Sequence, residues 1–265
     1  MQSSAARLEQ AVADGRIDSE VAGRVHRWLT DPALIEFADA VAALVDADDT
    51  DQLIRLFWQD IPFGTGGRRG IMGPLGTATI NTRTIAESAH GLACHLKDTG
   101  HAGGRIAVAH DTRNRSLEFA RLVCTTLAAH GFDVLEFDGH RATPTLSFTV
   151  RHLACVAGVV ISASHNPPSD NGFKAYWSHG GQVLPPHDSG IVECVAGSTK
   201  IPTMTYDQAV EDGRISRLGP EIDQAYRRAV LDSRLPAADH QSHDPANLPA
   251  LFTPLCGVGA GSVLP

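Results

Sequence analysis

Apolar side chains at Leu8 and Val12, then Val21, Val25, Trp28 and Leu29, then Leu34, Phe37, Val41 and Leu44 recur at a spacing near 3.6 residues, which predicts helices over 5–45. Asp31-Pro32 suits the start of the last of them, because proline fits the first helical turn. A short helix is predicted over 51–59, carrying Leu53, Leu56 and Phe57. The periodicity breaks at Phe63-Gly64-Thr65-Gly66-Gly67-Arg68-Arg69-Gly70, which reads as a glycine-dense loop. Beyond it, 82–98, 115–130 and 145–153 have helical spacing, and the first two stop at Gly100 and Gly131. Residues 105–110 (RIAVAH), 132–137 (FDVLEF) and 156–161 (VAGVVI) are short apolar runs of the buried-strand type. This alternation predicts an α/β fold: a mixed, mostly parallel sheet layered with helices.

A polar stretch containing Pro and Gly follows over 178–205, then a helix over 221–234 and a Pro/His/Asp-rich loop at 236–247. A strand is predicted over 249–253, running into Gly257-Val258-Gly259-Ala260-Gly261. Three parts result: an N-terminal helical extension at 1–50, an α/β domain at 51–205, and the start of a second α/β domain at 206–265. The last is expected to be incomplete, since a strand and glycine turn normally open a helix that packs back on the sheet.

Composition narrows the function classes. Apolar residues make up 43% and charged residues 20%, ordinary values for a soluble globular protein. A net charge of −8 argues against nucleic-acid partners, which need a basic footprint. No apolar run approaches the ~18 residues of a membrane span. The N-terminus lacks the apolar stretch of a secretion signal, and the five scattered cysteines form no CxxC, so a cytoplasmic protein with reduced thiols is expected. The 13 histidines form no HExxH, which removes support for a zinc hydrolase.

Three segments could carry chemistry. Ser162-Ala163-Ser164-His165-Asn166-Pro167-Pro168 follows directly on VAGVVI, and open α/β sheets place ligands outside the carboxyl ends of their strands. Ser164 is a hydroxyl nucleophile or phosphate carrier there, and His165 can bond a phosphate oxygen. Asn171-Gly172-Phe173-Lys174 brings a cation to the same region if the chain turns at Gly172. Most Ser/Asn/Pro loops are turns without chemistry, so composition alone leaves both readings open. The 63–70 loop offers backbone N–H groups and the bidentate donors of Arg68 and Arg69 to an anion, or it is a turn with solvated arginines. It matches neither GxGxxG nor GxxxxGK[ST]. His110-Asp111-Thr112-Arg113, at a strand end, either aims Arg113 at the same crevice or forms a structural Asp–Arg pair.

Taken in order, these segments resemble the α-D-phosphohexomutase superfamily of phosphoglucomutases and phosphomannomutases. Its members show an FGTxGxR loop, a D[ST]R after the next strand, a TP turn, and a [ST]ASHNP phosphoserine loop followed by NGxK. The counterparts are Phe63 to Arg69, Asp111 to Arg113, Thr143-Pro144, Ser162 to Pro167, and Asn171 to Lys174. Gly181-Gln182 and Pro185-Pro186 resemble the subgroup with an N-terminal helical extension, and Thr253-Pro254-Leu255 with Gly257-Val258-Gly259 resembles its second-domain TPLHGVG, with Cys256 in place of His.

The resemblance implies that Ser164 carries the phosphoryl group. His165 contacts it, Lys174 acts near the reacting hydroxyl, and Arg69 lies close to the phosphoserine. Thr65, Gly67, Arg113 and Asn166 are the implied phosphate-binding residues. It also implies a Mg²⁺ ion with one ligand from the phosphate on Ser164, and a hexose 1,6-bisphosphate activator. The implied reaction moves phosphate between C1 and C6 of a glucose or mannose phosphate. The family's DxDxDR metal loop has no counterpart in this sequence, so the chain alone is expected to be inactive and to need the missing C-terminal domains as partners. The alternative is a non-catalytic remnant that binds phosphosugars or other proteins. A serine hydrolase using Ser164 and His165 is a weak third reading, because no GxSxG elbow is present.

Overall fold

The computed structural model describes residues 3–64, 66–196, 200–233, 249 and 251–264. The amino-terminal residues fold as α1 (Ser4–Ala13), α2 (Ser19–Thr30), a 3₁₀ turn at Pro32–Leu34, α3 (Ile35–Asp46) and α4 (Thr50–Phe57). Aspartates start several of these pieces. Asp18, Asp31 and Asp49 accept hydrogen bonds from the backbone N–H groups of Val21, Ala33 and Gln52, which satisfies donors that a helix start leaves orphaned. Their apolar stripes meet in one core containing Leu8, Val25, Trp28, Val41, Leu53 and Phe57, which Leu75 joins from farther along the chain.

The remaining elements are β1 (Gly67–Ile71), α5 (Thr82–Asp98), β2 (Arg105–His110), α6 (Ser116–Ala129), β3 (Asp133–Phe137), α7 (Thr143–His152), β4 (Ala157–Ile161), β5 (Asp170–Trp177), α8 (His187–Ala196), α9 (Tyr206–Glu211), β6 (Ile215–Leu218), α10 (Pro220–Asp232) and α11 (Ala260–Val263). Six strands form one sheet in the order β1-β5-β4-β2-β3-β6. β2, β3, β4 and β6 run parallel, while β5 is antiparallel to both β4 and β1. Alternate residues divide between two cores. Ile106, Val108, Val159, Ile161 and Phe173 pack under Leu92 and Leu96 of α5 and Phe119 and Leu127 of α6. Ala107, Ala109 and Val160 pack on the opposite face under Leu146 and Val150 of α7 and Ile222 of α10. The expected mixed, mostly parallel α/β layering is the architecture found.

Several local expectations are corrected. The 63–70 segment is not a loop throughout, because Gly67 to Gly70 enter β1. No turn occurs at Gly172, which lies inside β5 opposite Arg69. A Cβ at Gly172 would fall 2.6 Å from the Arg68 carbonyl oxygen, so glycine serves close strand approach there and not chain reversal. The polar stretch 178–205 contains α8, which packs on α5 and buries Ile191. The described residues of 249–253 form no strand, and Leu251 is 96% exposed with no sheet to pack on. The loop read at 236–247 lies outside the described residues. Residues 206–218, assigned by sequence to a second domain, add β6 to the same sheet beside β3.

Candidate active site

β2 lies between β4 and β3, so the chain steps from β2 to β3 on one side and returns across β2 to β4 on the other. Open sheets bind ligands at such a reversal, outside the carboxyl ends of the strands. The loops after β2 and β4 therefore meet there. They carry Asp111 to Arg115 and Ser162 to Ser169. A cleft of about 740 Å³ opens between them, lined by Asp111, Arg113, Thr143, Ser162, Ser164, His165 and Asn166, and walled on one side by Leu255 to Val258.

Ser164 is exposed and holds a left-handed backbone, φ 60°. A non-glycine residue there carries strain, and Ser164 is one of the residues that line the cleft. The Ser164 N–H donates to Ser162 Oγ at 3.0 Å. His165 Nδ1 sits 3.4 Å from Ser164 Oγ. Asn166 Nδ2 donates to Asp170 at 3.0 Å, so this side chain shapes the loop.

Arg113 is the main fastening. Its Nη1 donates to the carbonyls of Pro167 and Asp170 at 2.7 and 3.0 Å, and its Nη2 to those of Ser164 and Asn166 at 2.8 and 2.6 Å. Its Nε faces Asp111 Oδ2 at 3.3 Å. The guanidinium is thus engaged with loop carbonyls, and the phosphate-binding role read from sequence is not where its hydrogen bonds go. A framework that the sequence reading missed stands behind it. Asp111 Oδ1 accepts from the Arg113 N–H at 3.0 Å and from Ser116 Oγ at 2.7 Å. Buried Asn171 donates to Ser116 Oγ at 3.0 Å and to the Asn114 carbonyl at 3.1 Å. The spacing of Asp111 and Arg113, an Asp bonding its own backbone two residues on, was the available signal.

Arg69, Lys174 and Gly67 line a separate, neighbouring cleft of about 330 Å³. Register places Gly67 opposite Lys174 and Arg69 opposite Gly172, all on the α7 side of the sheet. Arg68 points to the other side, donating to Glu87 at 3.2 Å and to the Thr84 carbonyl at 3.1 Å. Burial pushes the Lys174 ammonium below its usual pKa, the cations Arg69 and Arg113 add to that, and Asp111 opposes it. Lys174 is thereby within electrostatic reach of residues lining both clefts. Thr65 lies outside the described residues.

The description "Phosphoglucomutase/phosphomannomutase, alpha/beta/alpha domain I" matches residues 60–201, more than half of the sequence and the whole of the cleft's loops after β2 and β4. The chain belongs to the phosphoglucomutase/phosphomannomutase family. Among the relatives of this family member, human phosphopentomutase is 34% identical over 75% of the chain and 33% of its own length. Phosphoribomutase from Saccharomyces cerevisiae is 28% identical over 92% of the chain and 40% of its own length. Phosphoglucomutase from Staphylococcus saprophyticus is 35% identical over 64% of the chain and 31% of its own length. The chain spans 31–40% of the length of these relatives. A solved structure described as a phosphomannomutase from Thermus thermophilus superposes with a TM-score of 0.56 at 31% identity, covering 66% of this chain and 36% of that one.

The Mg²⁺ that this family implies prefers six oxygen ligands. Asp111 is committed to Arg113 and Ser116, and Asp170 to Asn166 and Ser169. The described residues at the cleft therefore do not form an octahedral oxygen set for it. No helix among the described residues is long and apolar enough to cross a membrane.

Proposed function

We propose that Ser164 carries a phosphoryl group and that this chain supplies the phosphoserine face of a phosphosugar mutase. One observation carries the reading: an exposed serine hydroxyl at the sheet's reversal point, on a loop fastened by Arg113, with Lys174 on the adjoining strand. The phosphorylated side chain faces a sugar monophosphate in the cleft. The Oγ–P bond breaks as the sugar hydroxyl forms a new P–O bond, and the departing Ser164 Oγ takes up a proton from solvent. The hydroxyl's proton passes to Lys174, whose neutral amine is made more accessible by its lowered pKa. His165 and Arg69 neutralise charge on the transferring group. The bisphosphate then returns its other phosphoryl to Ser164.

We assign the substrate as a glucose or mannose phosphate with exchange between C1 and C6, acting with Mg²⁺ in the cytoplasm and completed by further domains. A pentose phosphate is the second reading, favoured by relatives named phosphopentomutase and phosphoribomutase. Incubation with a hexose 1,6-bisphosphate, followed by phosphopeptide mapping, tests the first step. Label on Ser164, absent in Ser164→Ala, supports it. An unlabelled Ser164 overturns it and leaves a non-catalytic phosphosugar-binding module. Conversion of glucose 1-phosphate against ribose 1-phosphate, with Mg²⁺, separates the two substrates.

A further inference from the structure

Among the described residues, one group of His, Cys and acidic side chains brings three potential ligand atoms within 4.8 Å of one another: His90, Cys94 and His130. His90 and Cys94 are four residues apart on α5 and so share one helix face. His130 is the residue that closes the C-terminus of α6, with its backbone N–H bonded to the Thr126 and Leu127 carbonyls. α5 and α6 pack together, so the three side chains are presented by two fixed helices. His90 Nδ1 lies 3.0 Å from His130 Nε2, and Cys94 Sγ lies 3.6 Å from His90 Nε2.

We propose that His90, Cys94 and His130 form a zinc site, with water as fourth ligand, that ties the end of α6 to α5. One ion takes a single nitrogen of His90, so the three ligand atoms, within 4.8 Å of one another, close by small side-chain rotations to the roughly 3.3–3.6 Å that bonds of about 2.0–2.1 Å to nitrogen and 2.3 Å to sulfur set around tetrahedral zinc. Two imidazoles and a thiolate also select a borderline ion over Mg²⁺, which prefers oxygen.

Without metal the same atoms form a hydrogen-bonded chain. Lys97 Nζ is 3.3 Å from His130 Nδ1, and an ammonium only donates. His130 Nε2–H therefore donates to His90 Nδ1, and His90 Nε2–H faces the Cys94 sulfur. On coordination the thiol proton leaves to solvent. The His130 proton moves from Nε2 to Nδ1 as the exposed Lys97 swings away, which leaves one proton released per ion bound. The site sits where α6 ends and β3 begins, the amino edge of the parallel strands, whereas Ser164 follows their carboxyl edge. It is a structural clamp, separate from the phosphoryl chemistry.

The full chain, stripped with chelator and titrated with Zn²⁺ against a chromophoric competitor, should bind one equivalent. Cys94→Ser and His130→Ala should each weaken binding at least tenfold, and Zn²⁺ should raise the melting temperature of the parent protein but not of Cys94→Ser. Co²⁺ should give a thiolate charge-transfer band that Cys94→Ser lacks. His187→Ala is the control, because His95 Nε2 and His187 Nδ1 form another imidazole pair at 3.0 Å. It should keep the metal. Absence of stoichiometric Zn²⁺, binding unchanged in Cys94→Ser and His130→Ala, or loss of binding in His187→Ala would each overturn the assignment.

Discussion

At Ser164 the backbone is bent for the side chain's sake. The left-handed conformation costs a non-glycine residue about 1–2 kcal/mol. Ser164→Gly should thus be more stable than Ser164→Ala by about 0.5–1 kcal/mol, after allowing for the extra freedom of glycine when unfolded, as read by urea denaturation. Equal stability would mean that the loop relaxes and the strain is not held. Lys174 shows the same opposition of stability and role. Its folded pKa is depressed, chiefly by burial, so between the folded and unfolded values the unfolded chain binds more protons and stability rises with pH. Below that window the charged ammonium is a cost to the fold. Lys174→Met should then melt higher than the parent at neutral pH, lose the advantage as pH approaches the unfolded value near ~10.4, and be unable to accept the sugar proton. A lower melting temperature at neutral pH would show that Lys174 holds the sheet together and does not strain it.

Among the elements, β1 and β5 carry the cationic side of the site, and their contact depends on missing Cβ atoms at Gly67 and Gly172. A Cβ at Gly67 would lie 2.0 Å from the Phe173 carbonyl oxygen, with only backbone there to yield. Gly67→Ala should cost about 2–3 kcal/mol in denaturant and reduce labelling of Ser164 by displacing Arg69; an unchanged melt would show that β1 is free to move. The same crowding explains what the sequence hid. RIAVAH and VAGVVI announce β2 and β4 because both faces are buried, leaving unbroken apolar runs. GRRGI has no such run: Gly67 answers to β5 and Gly70 to the Ile61 side chain, and its arginines point to opposite faces. NGFKAYW does alternate, but its family motif draws attention to Lys174 and away from the period. α8 is masked by the prolines and glycines before it. The phosphoserine loop was legible because its residues are contiguous. The Arg113 fastening was not, because its acceptors are backbone carbonyls more than 50 residues away, and carbonyls have no sequence identity.

The whole molecule joins three cores through a few shared contacts. Leu75 enters the helical core, the Ala78 N–H donates to the Leu56 carbonyl at 3.0 Å, and Arg83 Nη1 donates to the Ala33 carbonyl at 3.1 Å. The C-terminal segment is different. Leu251 is 96% exposed and Leu255 is 83% exposed, and Leu255 borders the cleft that Ser164 faces. Apolar side chains grouped on a surface favour association. Burying a leucine is worth about 1.5–3 kcal/mol, so two of them can support a weak contact between copies despite the repulsion of a −8 charge. Sedimentation should show a mass that rises with concentration, and replacing both leucines by serine should weaken that association about 100-fold. The contact would also cover the cleft mouth, so dilution, or the serine variant, should speed labelling of Ser164. A parent chain that stays monomeric at all concentrations would show that these leucines are tolerated by solvent, and the cleft would then be open in every copy.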